Sequence, residues 1–228
     1  MKHFSISDLP GMLDAMRRPY QRNYLSMYPS LYGGIVTDPA LMLLPIDDHV
    51  VHRGDGVFET IKCVSGAIYN LPAHLTRLEH SASVLNHQLP LSRDQMTEIM
   101  IETVRAGGAR ECAIRLLVSR GPGGFGVNPY ECEGSQIYMV VTSPMVPFMD
   151  KHPQGATVQT SHIPMKPSFF AGVKNCNYLP NVLMKKESID AILEAASYKK
   201  GGKLKTLAVG GCLSQRYGTE LQKELPEI

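Results

Sequence analysis

The sequence lacks the features that mark several large classes of protein. It contains no tryptophan, and its charges nearly cancel, with a formal net charge of +2 over 228 residues. This balance provides no electrostatic attraction to nucleic acid or to a membrane surface. No apolar run is long enough to span a membrane, and the first residues lack the apolar core of a signal peptide. We therefore expect a cytoplasmic chain with neither a nucleic-acid nor a membrane partner.

Metal-binding and hydrolase motifs are also missing. The five cysteines are scattered and show no Cys-x-x-Cys spacing, so neither a zinc site nor a disulfide framework is predicted, and free thiols fit a reducing compartment. The histidines form no His-Glu-x-x-His motif, and we expect no bound metal. No Gly-x-Ser-x-Gly motif occurs, which argues against a serine hydrolase. His49 and His52 are expected to be loop or core residues.

Composition and proline spacing predict the domain organisation. The chain is 43% hydrophobic and 19% charged, which is typical of a globular protein of one large or two small domains. Prolines at 144, 147 and 153 predict a linker. We expect an N-terminal α+β domain over residues 1–148 and a partial cofactor-binding domain over 149–228, of which 192–228 form an atypical tail.

Hydrophobic spacing predicts the main elements. Helices are expected from about Leu9, from about Ala73, after Ser92 and from about Leu179. Ser65-Gly66 lies between two strand-like runs and predicts a β-hairpin of residues 57–64 and 67–69. Further strands are predicted at 112–119, 137–142, 156–163 and 204–209, and a short terminal helix at 217–225. Residues 20–45 are predicted to be a connection.

Lys174 is the first candidate for chemistry. It follows the small and apolar residues Ala171, Gly172 and Val173 and precedes an Asn-Cys-Asn-Tyr turn. Desolvation in such a setting lowers the pKa of a lysine, and the neutral amine is a nucleophile toward carbonyl groups. For a lysine without further context, the default expectation is a solvated loop residue.

Three arginines are candidates for binding anions. Arg77 lies in the first turns of a predicted helix, where a guanidinium suits a phosphate group. Arg115 and Arg120 lie toward the end of one predicted strand and could bind a carboxylate. Alternatively, one of them faces solvent and the other pairs with an acid such as Glu59 or Asp55. The loop Arg120-Gly-Pro-Gly-Gly matches no phosphate-binding glycine motif.

The order of several motifs resembles a known family. Gly-Asp-Gly-Val-Phe-Glu-Thr at 54–60, His-Leu-Thr-Arg-Leu at 74–78 and Lys-Asn-Cys-Asn-Tyr-Leu-Pro-Asn-Val-Leu at 174–183 occur in sequence. Together they resemble the class IV aminotransferases, pyridoxal-phosphate enzymes of fold type IV. The resemblance runs from about Asp47 to Ala191 and is nearest to the D-amino acid aminotransferase-like branch, with the branched-chain type as the related possibility.

This resemblance implies a fold, a cofactor and site residues. It implies an N-terminal α/β sandwich, a C-terminal β-barrel-like domain, a homodimer and pyridoxal 5'-phosphate as cofactor. Amino acids and 2-oxo acids would be the substrates of a transamination. The implied residues are Lys174 for the Schiff base, Arg77 for the cofactor phosphate, Asn177 and Tyr178 along the cofactor, and Arg53, Arg115 and Arg120 for the substrate.

Two alternatives stand beside the transaminase. An aminodeoxychorismate lyase-like enzyme would use the same lysine and arginine. Residues 192–228 contain no Glu-Gly-x-x-x-Asn block, whose glutamate pairs with the pyridine nitrogen in the family. We therefore expect an incomplete C-terminal domain, and a truncated, non-catalytic isoform is the second alternative.

Overall fold

The computed structural model describes residues 1–144, 150 and 161–200, and for 191–200 only the backbone. The chain divides into two compact units, one of Met1–Pro144 with Ser168–Asn177 and one of Met145–Pro167 with Tyr178–Ile228. The segment that carries Lys174 therefore belongs to the same unit as the first 144 residues. The boundary expected at residue 148 stays a prediction.

One antiparallel sheet organises the described part of the first unit. Its five strands are β1 Tyr24–Pro29, β2 Gly56–Val64, β3 Ala67–Ile68, β4 Cys112–Ser119 and β5 Gln136–Thr142. They follow the order β1-β5-β4-β2-β3 in the sheet. Each neighbouring pair is antiparallel.

Both units contain helices. In the first unit they are α1 Leu9–Ala15, α2 His49–Arg53, α3 Leu71–Val84, α4 Arg93–Ala106 and α5 Ser168–Ala171. Short 3-10 turns occur at Ile6–Asp8, Pro19–Asn23, Pro39–Leu41 and Pro129–Glu131. The described part of the second unit contains α6, Leu179–Lys200.

The core lies between one face of the sheet and helices α3 and α4. Alternate residues of β4 point into it, because successive side chains of a strand face opposite sides. The helices contribute stripes at helical spacing. The cluster includes Leu75, Leu78 and Ala82 of α3, Met96, Met100 and Val104 of α4, and Val57, Ile61, Ile114, Leu116, Val118, Ile137, Met139 and Val141 of the strands.

These elements confirm much of the expected fold. The α+β class, the hairpin of β2 and β3, and the strands at 112–119 and 137–142 are confirmed. So are the helices from Leu9, near Ala73, after Ser92 and from Leu179. The Ser92 hydroxyl accepts a hydrogen bond from the Gln95 N–H at 3.2 Å, which explains why α4 begins there.

Two elements differ from the expectation. Residues 20–45 contain an edge strand, β1, which pairs with β5. Its buried face carries Ser26, whose hydroxyl donates to the Thr103 C=O at 2.5 Å, so the strand lacks a clear apolar alternation. The polar lead-in to β2 forms α2, which the Asp48 carboxylate caps by accepting the Val50 N–H at 2.9 Å. Gly54 ends this helix at φ +65°.

Several expectations lie mainly outside the described residues. These are the linker at 144–155, the strand at 204–209 and the terminal helix at 217–225, together with residues 156–160 of the strand expected at 156–163. Residues 161–163 of that strand are described and are not extended in a sheet. In the second unit, Ser161 and the His162 N–H both donate to the Glu187 carboxylate of α6.

Within the described ranges, no helix has both the length and the apolar character needed to cross a membrane.

Gly121, two residues after the end of β4, allows a test of the fold. It has φ +102°, and an added Cβ would lie 1.9 Å from the Gly134 carbonyl oxygen. We expect Gly121→Ala to lower the free energy of unfolding by about 2 kcal/mol or more, because left-handed strain alone costs roughly 1–2 kcal/mol. Urea denaturation measures this. Gly134→Ala is the control, since an added Cβ there meets nothing within 4 Å. Equal losses in both variants would contradict the prediction.

Candidate active site

Lys174 lies in a short segment that pairs with the start of β2. The Phe58 N–H donates to the Lys174 C=O at 3.0 Å, and the Cys176 N–H donates to the Gly56 C=O at 2.8 Å. Val57 and Asn175 form an antiparallel bridge between these bonds. Because β4 pairs with one side of β2 over this range, the segment extends the sheet on the opposite side of β2.

The Lys174 side chain is half-buried and lies over an aromatic ring. Its amine is 4.3 Å from the centroid of the Phe58 ring, which is the geometry of a cation–π contact. Its backbone N–H donates to the buried Ser81 hydroxyl at 3.2 Å. The residue is therefore held at both its backbone N–H and its C=O, and Phe58 supports the amine.

Arg77 is brought to the same edge by helix α3. Ser81, which holds the Lys174 N–H, and Arg77 are separated by four positions in this helix. Residues at this spacing lie on one helix face, with Cβ atoms about 5–6 Å apart. The helix therefore places the guanidinium of Arg77 about one turn from the point where the Lys174 backbone is attached.

A buried carboxylate holds the Arg77 side chain. Glu59 of β2 is fully buried and accepts hydrogen bonds from Arg77 Nε at 2.6 Å and from Arg77 Nη2 at 2.5 Å. His74 Nδ1 lies 2.9 Å from the same carboxylate. Burial by itself raises the pKa of Glu59, but the hydrogen bonds from Arg77 and His74 outweigh it and hold the pKa below its ordinary value.

A second charged cluster joins the lead-in to β2, the end of β4 and the loop after α3. Arg120 Nε and Nη2 donate to the Asp55 carboxylate at 2.9 and 3.2 Å, and His87 Nε2 lies 2.9 Å from Asp55 Oδ1. Arg120 also donates to the C=O groups of Leu85 and Asn86, each at 2.9 Å. Burial alone would raise the pKa of Asp55, but His87 and Arg120 hold it well below its usual range.

The other predicted site residues are dispersed. Arg53 donates through Nε to the Gly126 C=O at 3.0 Å and through Nη2 to the Phe125 C=O, so it lies along the loop after β4. Arg115 is exposed on β4. The Asn177 N–H donates to Asn175 Oδ1 at 3.2 Å. Tyr178 begins the second unit, where the Lys166 amine lies 4.8 Å from its ring centroid.

The two strand arginines have different surroundings. Arg120 pairs with Asp55 and Arg115 faces solvent, as one of the two interpretations of the sequence expected. The same interpretation named Glu59 as a possible acid, and its partner is Arg77. Sequence reasoning missed Ser81, Phe58 and His74 as neighbours of the site. A usable signal for Glu59 existed, because it occupies a buried position in the alternation of β2.

Lys174 and Arg77 are both linked to β2 and to α3: the Lys174 backbone bonds Phe58 and Ser81, and Arg77 of α3 bonds Glu59 of β2. A family model described as amino-transferase class IV matches residues 56–196, more than half of the chain. The chain belongs to this family, which confirms the family that the motifs predicted. The match ends five residues beyond the limit expected at Ala191.

Curated relatives agree with this assignment. The chain is 44% identical to the chloroplastic D-amino-acid transaminase of Arabidopsis thaliana over 167 residues, 73% of this chain and 44% of that protein. It is 35% identical to a putative branched-chain-amino-acid aminotransferase of Methanocaldococcus jannaschii over 139 residues, 60% of this chain and 48% of that protein. The chain therefore spans less than half of the length of either relative.

Solved structures resemble the chain over a similar range. The T.th. branched-chain amino acid aminotransferase with pyridoxamine 5'-phosphate has a TM-score of 0.66 and 26% identity, covering 74% of this chain and 57% of that one. The 4-amino-4-deoxychorismate lyase of Pseudomonas aeruginosa has a TM-score of 0.55 and 27% identity, covering 64% and 53%.

A short match to another kind of protein also occurs. Ribosomal protein uS12 methylthiotransferase RimO of Myxococcus xanthus is 66% identical over 44 residues, which are 19% of this chain and 9% of that protein. Because so small a part of that protein is matched, its activity is not transferred to this chain.

The Asp55–Arg120 pair predicts a dependence of stability on pH. The pKa of Asp55 is lower in the folded chain than its unfolded value of about 3.9, so its stabilisation is present above that pH and is lost as the pH falls through the folded pKa. We expect Arg120→Gln to cost about 1–3 kcal/mol at pH 7 and progressively less below pH ~4. Unfolding free energies measured across this range test the prediction.

Arg115→Gln is the matched control, since Arg115 is an exposed arginine of β4, the strand that Arg120 follows. It should change stability by less than about 0.5 kcal/mol at either pH. If the difference in unfolding free energy between wild type and Arg120→Gln stays constant from neutral to acidic pH, the stabilisation by Arg120 does not come from its pair with the Asp55 carboxylate.

Proposed function

We propose that this chain binds pyridoxal 5'-phosphate and takes part in the transfer of an amino group between an amino acid and a 2-oxo acid. The observation that supports this most directly is that the Lys174 backbone is attached to β2 and to Ser81, and that Ser81 lies one helical turn from Arg77. The relatives are named as D-amino-acid and branched-chain transaminases, and both names support substrates of the amino acid class.

The side chains present fit such a cofactor. A primary amine suits its aldehyde, and a guanidinium suits its phosphate. The fork of Arg77 is held by a buried carboxylate while its side chain is 53% exposed, so the charged group lies at the surface of the unit rather than in the core. We assign Lys174 to the aldehyde and Arg77 to the phosphate.

Asn177 and Tyr178 are proposed to line the cofactor, because their motif resembles that of the class IV aminotransferases. Asn177 follows Lys174 in the segment that pairs with β2, and its side-chain oxygen approaches Gly54, where an added Cβ would lie 2.6 Å from it. Arg53, Arg115 and Arg120 stay candidates for the substrate carboxylate. The domain boundary and the homodimer stay predictions as well.

The chemistry requires the protein to hold and orient the cofactor and the substrate and to move protons between them. Bound pyridoxal phosphate supplies an electron-withdrawing ring that stabilises negative charge at the α-carbon of an amino substrate. Lys174 Nζ would hold such a group at its carbonyl, and it is the base that would accept a proton from the substrate α-carbon and later return it. Phe58 covers one side of Nζ and keeps water from that side.

Trapping of the lysine tests this proposal. Purified protein should develop visible absorbance when pyridoxal 5'-phosphate is added, and borohydride reduction should leave the cofactor's mass on the peptide that contains Lys174. Lys174→Ala should lose both signals, because it removes the amine assigned to the reaction. Lys62→Ala removes an exposed lysine of β2 and should retain them. A colourless wild type, or label on another lysine, would refute the assignment.

A lyase of the same family is the second candidate. It is favoured by the likeness to the Pseudomonas aeruginosa 4-amino-4-deoxychorismate lyase, which covers 64% of this chain. If the chain is a transaminase, 4-amino-4-deoxychorismate without an amino acceptor should yield no pyruvate. The same protein should convert a D- or branched-chain amino acid only when a 2-oxo acid is present, because the amino group needs an acceptor. Chromatography of the products separates the two outcomes.

A further inference from the structure

We propose that Glu59 is a positioning residue for phosphate recognition, which acts by holding the Arg77 guanidinium in one orientation before the ligand arrives. The ligand class is a phosphate monoester with a reactive carbonyl. The inference rests on the proposed function, and it adds a residue that neither the motifs nor the family comparison assigns a role.

The position of Glu59 argues for a specific task. Its neighbours on the same face of β2, Val57 and Ile61, are buried members of the apolar core, and the Glu59 side chain is as fully buried as they are. Placing a carboxylate in such a core is unfavourable unless it is paired and hydrogen-bonded. An apolar residue at this position would fill the core without needing any hydrogen-bond partner.

The geometry of the pair explains what the carboxylate does. Arg77 uses Nε and Nη2 to grip both oxygens of Glu59, which is a bidentate contact that fixes the plane of the guanidinium. A guanidinium carries five N–H donors in a planar fork, so this contact engages one edge of the group. The Glu59 side chain is 0% exposed and the Arg77 side chain 53% exposed, so the pair joins the core to the surface of the unit.

His74 completes the support of the carboxylate. Its Nδ1 lies 2.9 Å from Glu59 Oε2 and 3.4 Å from Arg77 Nη2. Because an ionised carboxylate only accepts hydrogen bonds, we assign the Nδ1 proton to this contact. Three donor atoms therefore hold the Glu59 carboxylate, and the fork of Arg77 cannot rotate without breaking a buried charge-assisted pair.

Preorganisation is the expected benefit. A free arginine side chain loses rotamer freedom when it binds an anion, whereas a tethered one has already lost it. The Glu59–Arg77 pair is neutral overall, so Glu59 contributes orientation rather than attraction. The opposite possibility is that Glu59 competes with the phosphate for Arg77, and then its removal would tighten binding.

Binding of two ligands that differ only in the phosphate distinguishes these possibilities. Dissociation constants for pyridoxal 5'-phosphate and pyridoxal are measured by absorbance titration of the full chain. We expect Glu59→Gln to weaken binding of pyridoxal 5'-phosphate about tenfold and binding of pyridoxal less than about twofold. Glu79→Gln is the control, since Glu79 lies on the same helix as Arg77 but pairs with Arg93 of α4, and its loss should change neither constant.

Two further variants make the test independent of the folding of Glu59→Gln. His74→Leu removes one donor and leaves the fork, and it should lower the preference for the phosphorylated ligand about threefold. In an Arg77→Ala background, Glu59→Gln should cause no further loss of that preference. Unchanged or tighter binding of pyridoxal 5'-phosphate in Glu59→Gln, or in His74→Leu if the former does not fold, overturns the proposal.

The wild type separates this inference from the function on which it rests. Wild-type protein that binds pyridoxal 5'-phosphate no better than pyridoxal contradicts phosphate recognition itself. Wild-type protein that prefers the phosphorylated ligand, together with an unaffected Glu59→Gln, contradicts only the role of Glu59.

Discussion

The candidate site depends on the pairing of the Lys174 segment with the first residues of β2. Two backbone hydrogen bonds bring a part of the chain far away in sequence against the edge of the sheet, one from the Phe58 N–H to the Lys174 C=O and one from the Cys176 N–H to the Gly56 C=O. The Ser81 hydroxyl of α3 provides a third attachment. Without this pairing, Lys174 would be a loop lysine with no fixed place beside β2 and α3.

Buried and partly buried carboxylates hold the surroundings of this edge. Glu59 binds Arg77 and His74, and Asp55 binds Arg120 and His87. Asp48 accepts hydrogen bonds from the hydroxyls of Ser119 and Tyr138, each at 2.8 Å. Each acid has its donors, so the cost of removing it from water is offset by paired contacts between different elements. The polar residues around β2 thereby fix where the helices and loops of the site lie.

The family assignment and the geometry carry different parts of the functional argument. Family membership rests on a match over residues 56–196, and it accounts for a lysine in the motif at 174–183. The geometry adds that this lysine and Arg77 belong to one compact unit and are linked through one face of α3. Activity of the whole protein is proposed rather than inherited, since the chain spans less than half of its curated relatives.

Elements with a clear apolar period could be predicted from the sequence. Apolar spacing predicted α3, α4 and the strands β2, β4 and β5, whose periodic faces are buried in the core, and it also predicted α6. It missed β1, whose buried Ser26 interrupts the alternation, and α2, whose polar residues show no apolar stripe. Only the tertiary structure decided the partners: that Arg77 binds Glu59, that Arg120 binds Asp55 and that Lys174 lies over Phe58. Such pairs join residues distant in sequence, and only the packing of the sheet against α3 sets their distances.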